Sequence, residues 1–276
     1  MEISLPVTLA VLGAALLHAA WNALVKSSAD TQLDSTAVGV GAGVVSVLLL
    51  PWLAPPAPAA WPWLAASALV HVLYFIFLAG AYRWGELTYS YPIMRGGGPM
   101  VVAIVGALAL GEVLPPMETF GVALVCAGIL AFASGRHDRR ATLFAIGNAL
   151  VIGAYTLIDA QGARASGAPV SYTLWFFAAN ALVIGSFVLA RRGRELPAYL
   201  RRHWARAVLG GACSVGSYAI ALWAMTLAPV ALVAVLRETS VVFAAALGAL
   251  FLGEPFTARR AGATLVVLAG LAALRL

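Results

Sequence analysis

Charge is scarce in this chain. Only 10% of its 276 residues are charged, where a soluble domain carries roughly 25%, so an ordinary water-soluble globule is excluded. Lysine is reduced to Lys26, and the net charge of +6 comes from arginine. Those arginines sit mostly between apolar stretches, where they report membrane orientation rather than nucleic-acid binding. Cysteine is limited to Cys126 and Cys213, both within apolar stretches. A disulfide is not expected, and two thiols without clustered histidines make no metal site. Segments of alternating polarity are missing, which excludes a β-barrel. Met1–Pro6 has no basic n-region, so the first apolar stretch reads as a retained span rather than a cleaved signal. No polar segment is long enough for a separate soluble domain, so no appended enzyme is expected.

What remains is apolar: 62% of the residues are hydrophobic, in runs close to the roughly 20 needed to cross a bilayer as a helix. The pattern predicts an all-α integral membrane protein with ten transmembrane helices. The spans are Leu5–Val25, Thr36–Leu53, Trp61–Tyr82, Thr88–Leu110, Met117–Ala133, Ala141–Ile158, Val170–Ala190, Ala207–Met225, Pro229–Leu252 and Arg260–Leu274. The connections are short, and Arg191–Arg206 is the one long polar stretch.

The chain also repeats itself. Arg95–Glu112 (RGGGPMVVAIVGALALGE) and Arg237–Glu254 (RETSVVFAAALGALFLGE) share 8 of 18 positions without a gap, including the arginine and the closing LGE. A weaker echo aligns Gly13 to Trp21 with Gly147 to Tyr155. The halves, 1–135 and 136–276, hold five spans each. Five is odd, so the second half enters the membrane in the opposite direction, and two inverted five-helix repeats result. Such duplication is a sequence signature of transporters. The odd-numbered loops carry 13 basic residues (Lys26, Arg83, Arg136, Arg139, Arg140, Arg191, Arg192, Arg194, Arg201, Arg202, Arg206, Arg259 and Arg260) and the other side only Arg164 and Arg275. By the positive-inside rule both termini are expected on the periplasmic side of the membrane.

These halves, with LGE at Glu112 and Glu254 closing the fourth and ninth spans, resemble the drug/metabolite transporter superfamily in its ten-span, EamA-like branch. The resemblance covers the whole chain. Its aromatic content is similar to that of bacterial exporters of aromatic amino acids. The first span departs from the commonest EamA form, carrying His18-Ala-Ala-Trp21-Asn22 where a Trp-Gly pair is frequent. The resemblance implies an inner-membrane carrier that exports amino acids, aromatic or other large neutral ones, and related metabolites or drugs by alternating access. Two alternatives stay open: a lipid flippase or scramblase of the same fold, and an exporter of organic cations. The expected partners are a small-molecule substrate and the lipid bilayer, with a monomer as the working unit and no nucleic acid. No cofactor is expected. An integral-membrane enzyme would need clustered catalytic groups, whereas His18, His71, His137 and His203 are scattered without an HxxxD or HExxH motif.

Several residues are candidates for the site. Arg95 lies roughly 10 Å into the fourth span at about 1.5 Å per residue, followed by Gly96, Gly97, Gly98 and Pro99. That run is expected to break the helix and to expose N–H groups which, with the guanidinium, suit a carboxylate. The competing reading is an arginine that snorkels or pairs within the fold, beside glycines that only permit close packing. Arg237 is its repeat mate, and Glu238 is placed to meet an arginine on another span or to serve coupling or a substrate amine. Glu112 and Glu254 are expected to cap the helices that follow them, as hinges or gates. His18, Trp21, Asn22, His71, Tyr74, Tyr82 and Tyr218 are polar or aromatic groups that are costly in lipid and expected around a cavity. Trp61 and Trp63 read as interface-belt residues. Asp159, at the end of the sixth span, reads as water-exposed.

Overall fold

A computed structural model describes residues 3–135, 138–251 and 257–274, and every regular element among them is helical. The helices are α1 (Leu5–Lys26), α2 (Thr31–Leu49), α3 (Trp61–Trp84), α4 (Leu87–Leu110), α5 (Pro116–Leu130), α6 (Arg139–Ser166), α7 (Pro169–Arg192), α8 (Glu195–Leu227), α9 (Val230–Arg237), α10 (Ser240–Phe251) and α11 (Ala258–Ala273). The proline-rich link between α2 and α3 holds two short 3-10 turns, Leu50–Trp52 and Pro58–Ala60.

Local chemistry sets the helix ends. The Asp30 carboxylate accepts the Leu33 N–H at 3.0 Å to open α2, and Asp138 accepts from Arg140 and Ala141 to open α6. Both satisfy donors that a helix start leaves free. Gly111 and Gly167 stop α4 and α6 with φ of 67° and 62°, a left-handed turn open to glycine at little cost.

Among the described residues, eight helical stretches are long and apolar enough to cross a membrane. α5 and α11, of 15 and 16 residues, are shorter and pack on each other. Their backbones nearly touch: a Cβ on Gly121 would stand 2.8 Å from the Gly270 carbonyl, and one on Gly270 2.8 Å from the Val125 nitrogen. Small residues at such a seam are how helices associate in lipid. α2 and α8 meet in the same way, where a Cβ on Gly41 would collide with the Ala207 carbonyl and one on Gly211 with Ala42. The long helices form two groups, α1, α2, α7 and α8 on one side and α3, α4 and α6 on the other. The turns after α1, α3, α5 and α7 share one end, here termed the basic end. The turns after α2, α4, α6 and α8 share the far end.

Three expectations fail. First, α4 runs unbroken through Gly96–Pro99. The glycines are consumed by packing: a Cβ on Gly97 would meet Ala149 at 2.8 Å, one on Gly98 would meet Ile152 at 2.7 Å, and Gly96 lies on Cys126 and Leu130. Gly97 and Pro99 therefore sit inside a continuous helix, not at a break. The earlier proline, Pro92, frees the Thr88 carbonyl, and the Ser134 N–H takes it at 3.0 Å. Second, the ninth stretch is the broken one. α9 ends at Arg237, Glu238 and Thr239 form a turn, and the Thr239 hydroxyl donates to the Leu236 carbonyl at 2.7 Å. Third, most of Arg191–Arg206 is helix. α8 begins at Glu195 and kinks at His203, whose φ of −120° and ψ of 25° leave the helical region. Glu254, Arg136, His137 and Arg275 lie outside the described residues.

Candidate functional site

Between the two helix groups lies a cavity of about 400 Å³. Its wall runs from Val25, Ser35 and Tyr82 near the basic end to His71, Phe176 and Tyr218 at mid-depth. At about 1.5 Å per residue, that floor stands roughly 10 Å short of the far helix ends. The cavity therefore opens toward the basic end and is closed beyond Tyr218.

All of His18, Trp21, Asn22, His71, Tyr74, Tyr82, Arg95, Tyr218 and Arg237 lie on its wall. His18 and Trp21 meet edge to face at 5.3 Å, and the Asn22 side chain turns back to donate to the His18 carbonyl at 2.7 Å. His71 stands 4.4 Å from Tyr155 and 4.8 Å from Phe176, ring centre to ring centre. Tyr74 packs against Tyr155 at 6.0 Å. Three residues of this wall carry unspent polar atoms. Trp21 Nε1, Asn148 Oδ1 and Ser217 Oγ are buried without a hydrogen-bond partner among the described residues. Such groups are costly unless something meets them.

The two arginines differ. Arg95 is in ionic contact with Glu238, Nη2 to Oε1 at 2.9 Å, and both side chains are nearly enclosed. The N–H axis points off that line, leaving Arg95 Nε and Glu238 Oε2 unbonded. The pair joins α4 to the turn between α9 and α10. Arg237 forms no ion pair with a carboxylate among the described residues. Its guanidinium lies 5.2 Å from the centre of the Tyr218 ring, a cation–π contact on the cavity wall. Of the two cavity arginines, Arg237 is thus the one without an ion pair among the described residues.

Glu112 does not cap the helix that follows it. It reaches across the far end, where its carboxylate pairs with Arg164 at 2.7 Å and accepts the Val230 N–H at 2.7 Å, capping the start of α9. Arg164 also donates to the carbonyls of Met225 and Ala228. α4, α6, α8 and α9 are thereby tied together above the cavity floor.

Two further acids are buried, one that the sequence placed in water and one that it did not single out. Asp159 is fully buried, not in water, and accepts from Tyr172 at 3.0 Å and Tyr218 at 2.5 Å. Asp34, also fully buried, takes Arg206 at 2.9 Å and Tyr199 at 2.9 Å near the basic end. Arg206 further donates to Ser27 and to the Leu24 carbonyl, joining α1, α2 and α8. Trp61 is half-turned from the lipid and meets Trp175 at 5.2 Å. These two line a side hollow of about 270 Å³ between α3 and α7, which shares His71, Phe75, Phe176 and Asn180 with the main cavity.

The profile of the EamA-like transporter family matches residues 139–276, half of the chain. The chain belongs to the EamA-like transporter family. A solved structure titled only "Crystal structure of protein" has the same fold, with a TM-score of 0.72 at 19% identity over 97% of this chain and 96% of that one. No curated protein matches. The family and the long apolar helices together make the protein a multi-pass membrane transporter.

Proposed function

We propose that this EamA-like protein is a ten-span, inverted-repeat carrier that exports amino acids across the bacterial inner membrane by alternating access. Large neutral and aromatic side chains suit it best. The observation that carries the reading is the cavity itself: one unpaired guanidinium, Arg237, and several unspent polar atoms set in an aromatic wall. An amino acid brings a carboxylate for the arginine and an apolar body for His18, Trp21, Tyr74 and Phe176. Arg95, paired with Glu238, holds the wall and leaves the carboxylate to Arg237.

Helix packing supports the repeat. Exchanging the halves turns the α3–α6 contact into α8–α1, and α4–α6 into α10–α1, while α2–α7 and α5–α11 map onto themselves. The match is incomplete: α2 packs closely on α8 whereas α7 stands away from α3, and α7 packs on α8 whereas α2 does not pack on α3. In the opposite state of an inverted-repeat carrier, α7 closes on α3 and α2 parts from α8. The arginine-rich basic end faces the cytoplasm in this reading, which makes the structure inward-open with both termini periplasmic.

Proteoliposome uptake across a panel of labelled amino acids tests the substrate. Saturable uptake of phenylalanine, tryptophan or leucine is expected, and no uptake of any amino acid would refute it. An active C-terminal alkaline phosphatase fusion is expected from the topology. The side hollow between α3 and α7 favours a second reading, a lipid flippase, and labelled phospholipid in the same vesicles separates the two.

A further inference from the structure

We infer that Asp159, clasped by Tyr218 and Tyr172, is the proton-binding site that couples transport to a proton gradient. The inference rests on the carrier reading above. Asp159 sits between the cavity floor and the far end, roughly 10 Å from the end of α6 at about 1.5 Å per residue. A carboxylate at this depth is costly and by default functional. It has no cationic partner among the described residues. Its hydrogen-bond donors are neutral: Tyr218 from α8, Tyr172 from α7 and the Ser67 hydroxyl from α3. The other titratable or charged groups facing this cluster are His71 on α3, Tyr155 one turn earlier on α6, and Arg237 from α9 over the Tyr218 ring.

The choice of a proton over a substrate amine follows from access. Tyr218 lines the cavity, but Asp159 does not and is fully buried. A solute cannot touch the acid without moving the phenol, whereas a proton can pass through it. Hydronium in the cavity gives a proton to the Tyr218 oxygen as the phenol gives its own to Asp159 Oδ2. Water remains, the phenol stays neutral, and the carboxylate becomes a neutral acid. Tyr172 reaches Oδ1 from the first turn of α7, at the far end. The acid thus has one phenol toward each side of the membrane, as alternating access requires. Release reverses the steps through Tyr172 when the far end opens.

Infrared pH titration of the purified full chain reads this site without a known substrate. A carboxyl band that changes reversibly with pH is expected in the native protein and is missing from Asp159→Asn. The absence of such a band in the native protein, or its persistence in Asp159→Asn, overturns the assignment. In vesicles, a gradient of about one pH unit drives about tenfold accumulation of phenylalanine for one coupled proton. Asp159→Asn is expected to equilibrate phenylalanine without accumulating it, and accumulation equal to the native protein's overturns the coupling. If the native protein carries no phenylalanine, the substrate reading fails while the infrared result still decides the proton site. Should Asp159→Asn fail to fold, Tyr218→Phe keeps the acid and removes the relay. It should slow proton exchange after a pH jump about tenfold or more, and an unchanged rate overturns the relay.

Discussion

The guanidinium of Arg95 in α4 stands 2.9 Å from the carboxylate of Glu238, in the turn that separates α9 from α10. This contact ties the two repeated segments to each other at mid-depth. Neither group has much access to water, so each neutralises a charge that the other could not leave buried alone.

Glu238→Gln is therefore expected to destabilise the protein by about 3–5 kcal/mol, the range for breaking a buried pair by removing one partner. Arg95→Met with Glu238→Leu should recover most of that loss, because the apolar double variant leaves no orphan charge. Thermal unfolding in detergent of Arg95→Met, Glu238→Leu and the double variant measures the coupling. Additive losses would show that the pair does not act as a unit.

Much of the fold was legible because span length and the repeated arginine with its LGE are local signals. Apolar runs set the helices, and the aromatic residues of the first and third stretches could be placed by helical spacing. The pairings were not legible. Asp34 meets Arg206 and Glu112 meets Arg164 across long stretches of chain, with nothing near either partner in sequence to announce the other. Although Glu238 was expected to meet an arginine of another span, which arginine was not legible: it is Arg95. The glycines after Arg95 misled for a related reason. Their cost as helix breakers is local, whereas their value as contact points for Ala149 and Ile152 is tertiary. Asp159 was misplaced because its helix runs further than its apolar stretch, so the acid lies within the membrane rather than at its edge.

Arg237 should control carboxylate recognition. Arg237→Gln removes the charge, and Arg237→Lys keeps it without the two-pronged geometry. A charged hydrogen bond contributes about 1.5–3 kcal/mol, so glutamine is expected to weaken amino-acid binding about tenfold to a hundredfold, and lysine less. The amide of the same amino acid should lose far less affinity in Arg237→Gln. Equal losses for acid and amide would place the arginine's role in structure.

Gly162 should be intolerant of a methyl group. A Cβ there would collide with the Tyr172 ring and hydroxyl, the same hydroxyl that bonds Asp159. Gly162→Ala is expected to push Tyr172 off the acid and cost about 1–3 kcal/mol for the polar group left unmet. Combining it with Tyr172→Phe should add little to either change alone in a thermal unfolding series. A fully additive result would place the damage elsewhere.

At the far end Glu112 meets Arg164 and the Val230 N–H, a contact expected to hold that end closed. The ion pair is partly accessible, so its net worth is modest, about 1 kcal/mol or less. The capping bond adds a charged acceptor at a helix start, again about 1 kcal/mol. Glu112→Gln keeps the shape of the side chain and removes both charge effects. It should therefore shift the balance toward the form open at the far end by roughly tenfold, without unfolding the protein. A cysteine introduced at Ala228, which is buried in the closed form, reports that shift through its labelling rate by a membrane-impermeant maleimide. Faster labelling in Glu112→Gln, with thermal stability lowered by no more than a few degrees, is the expected result. Arg164→Gln should produce the same change, and the two together no more than either alone, because both act on one contact. Unchanged labelling in both variants would mean that the far end is held by the apolar packing of α4, α6 and α9, with the ion pair a bystander.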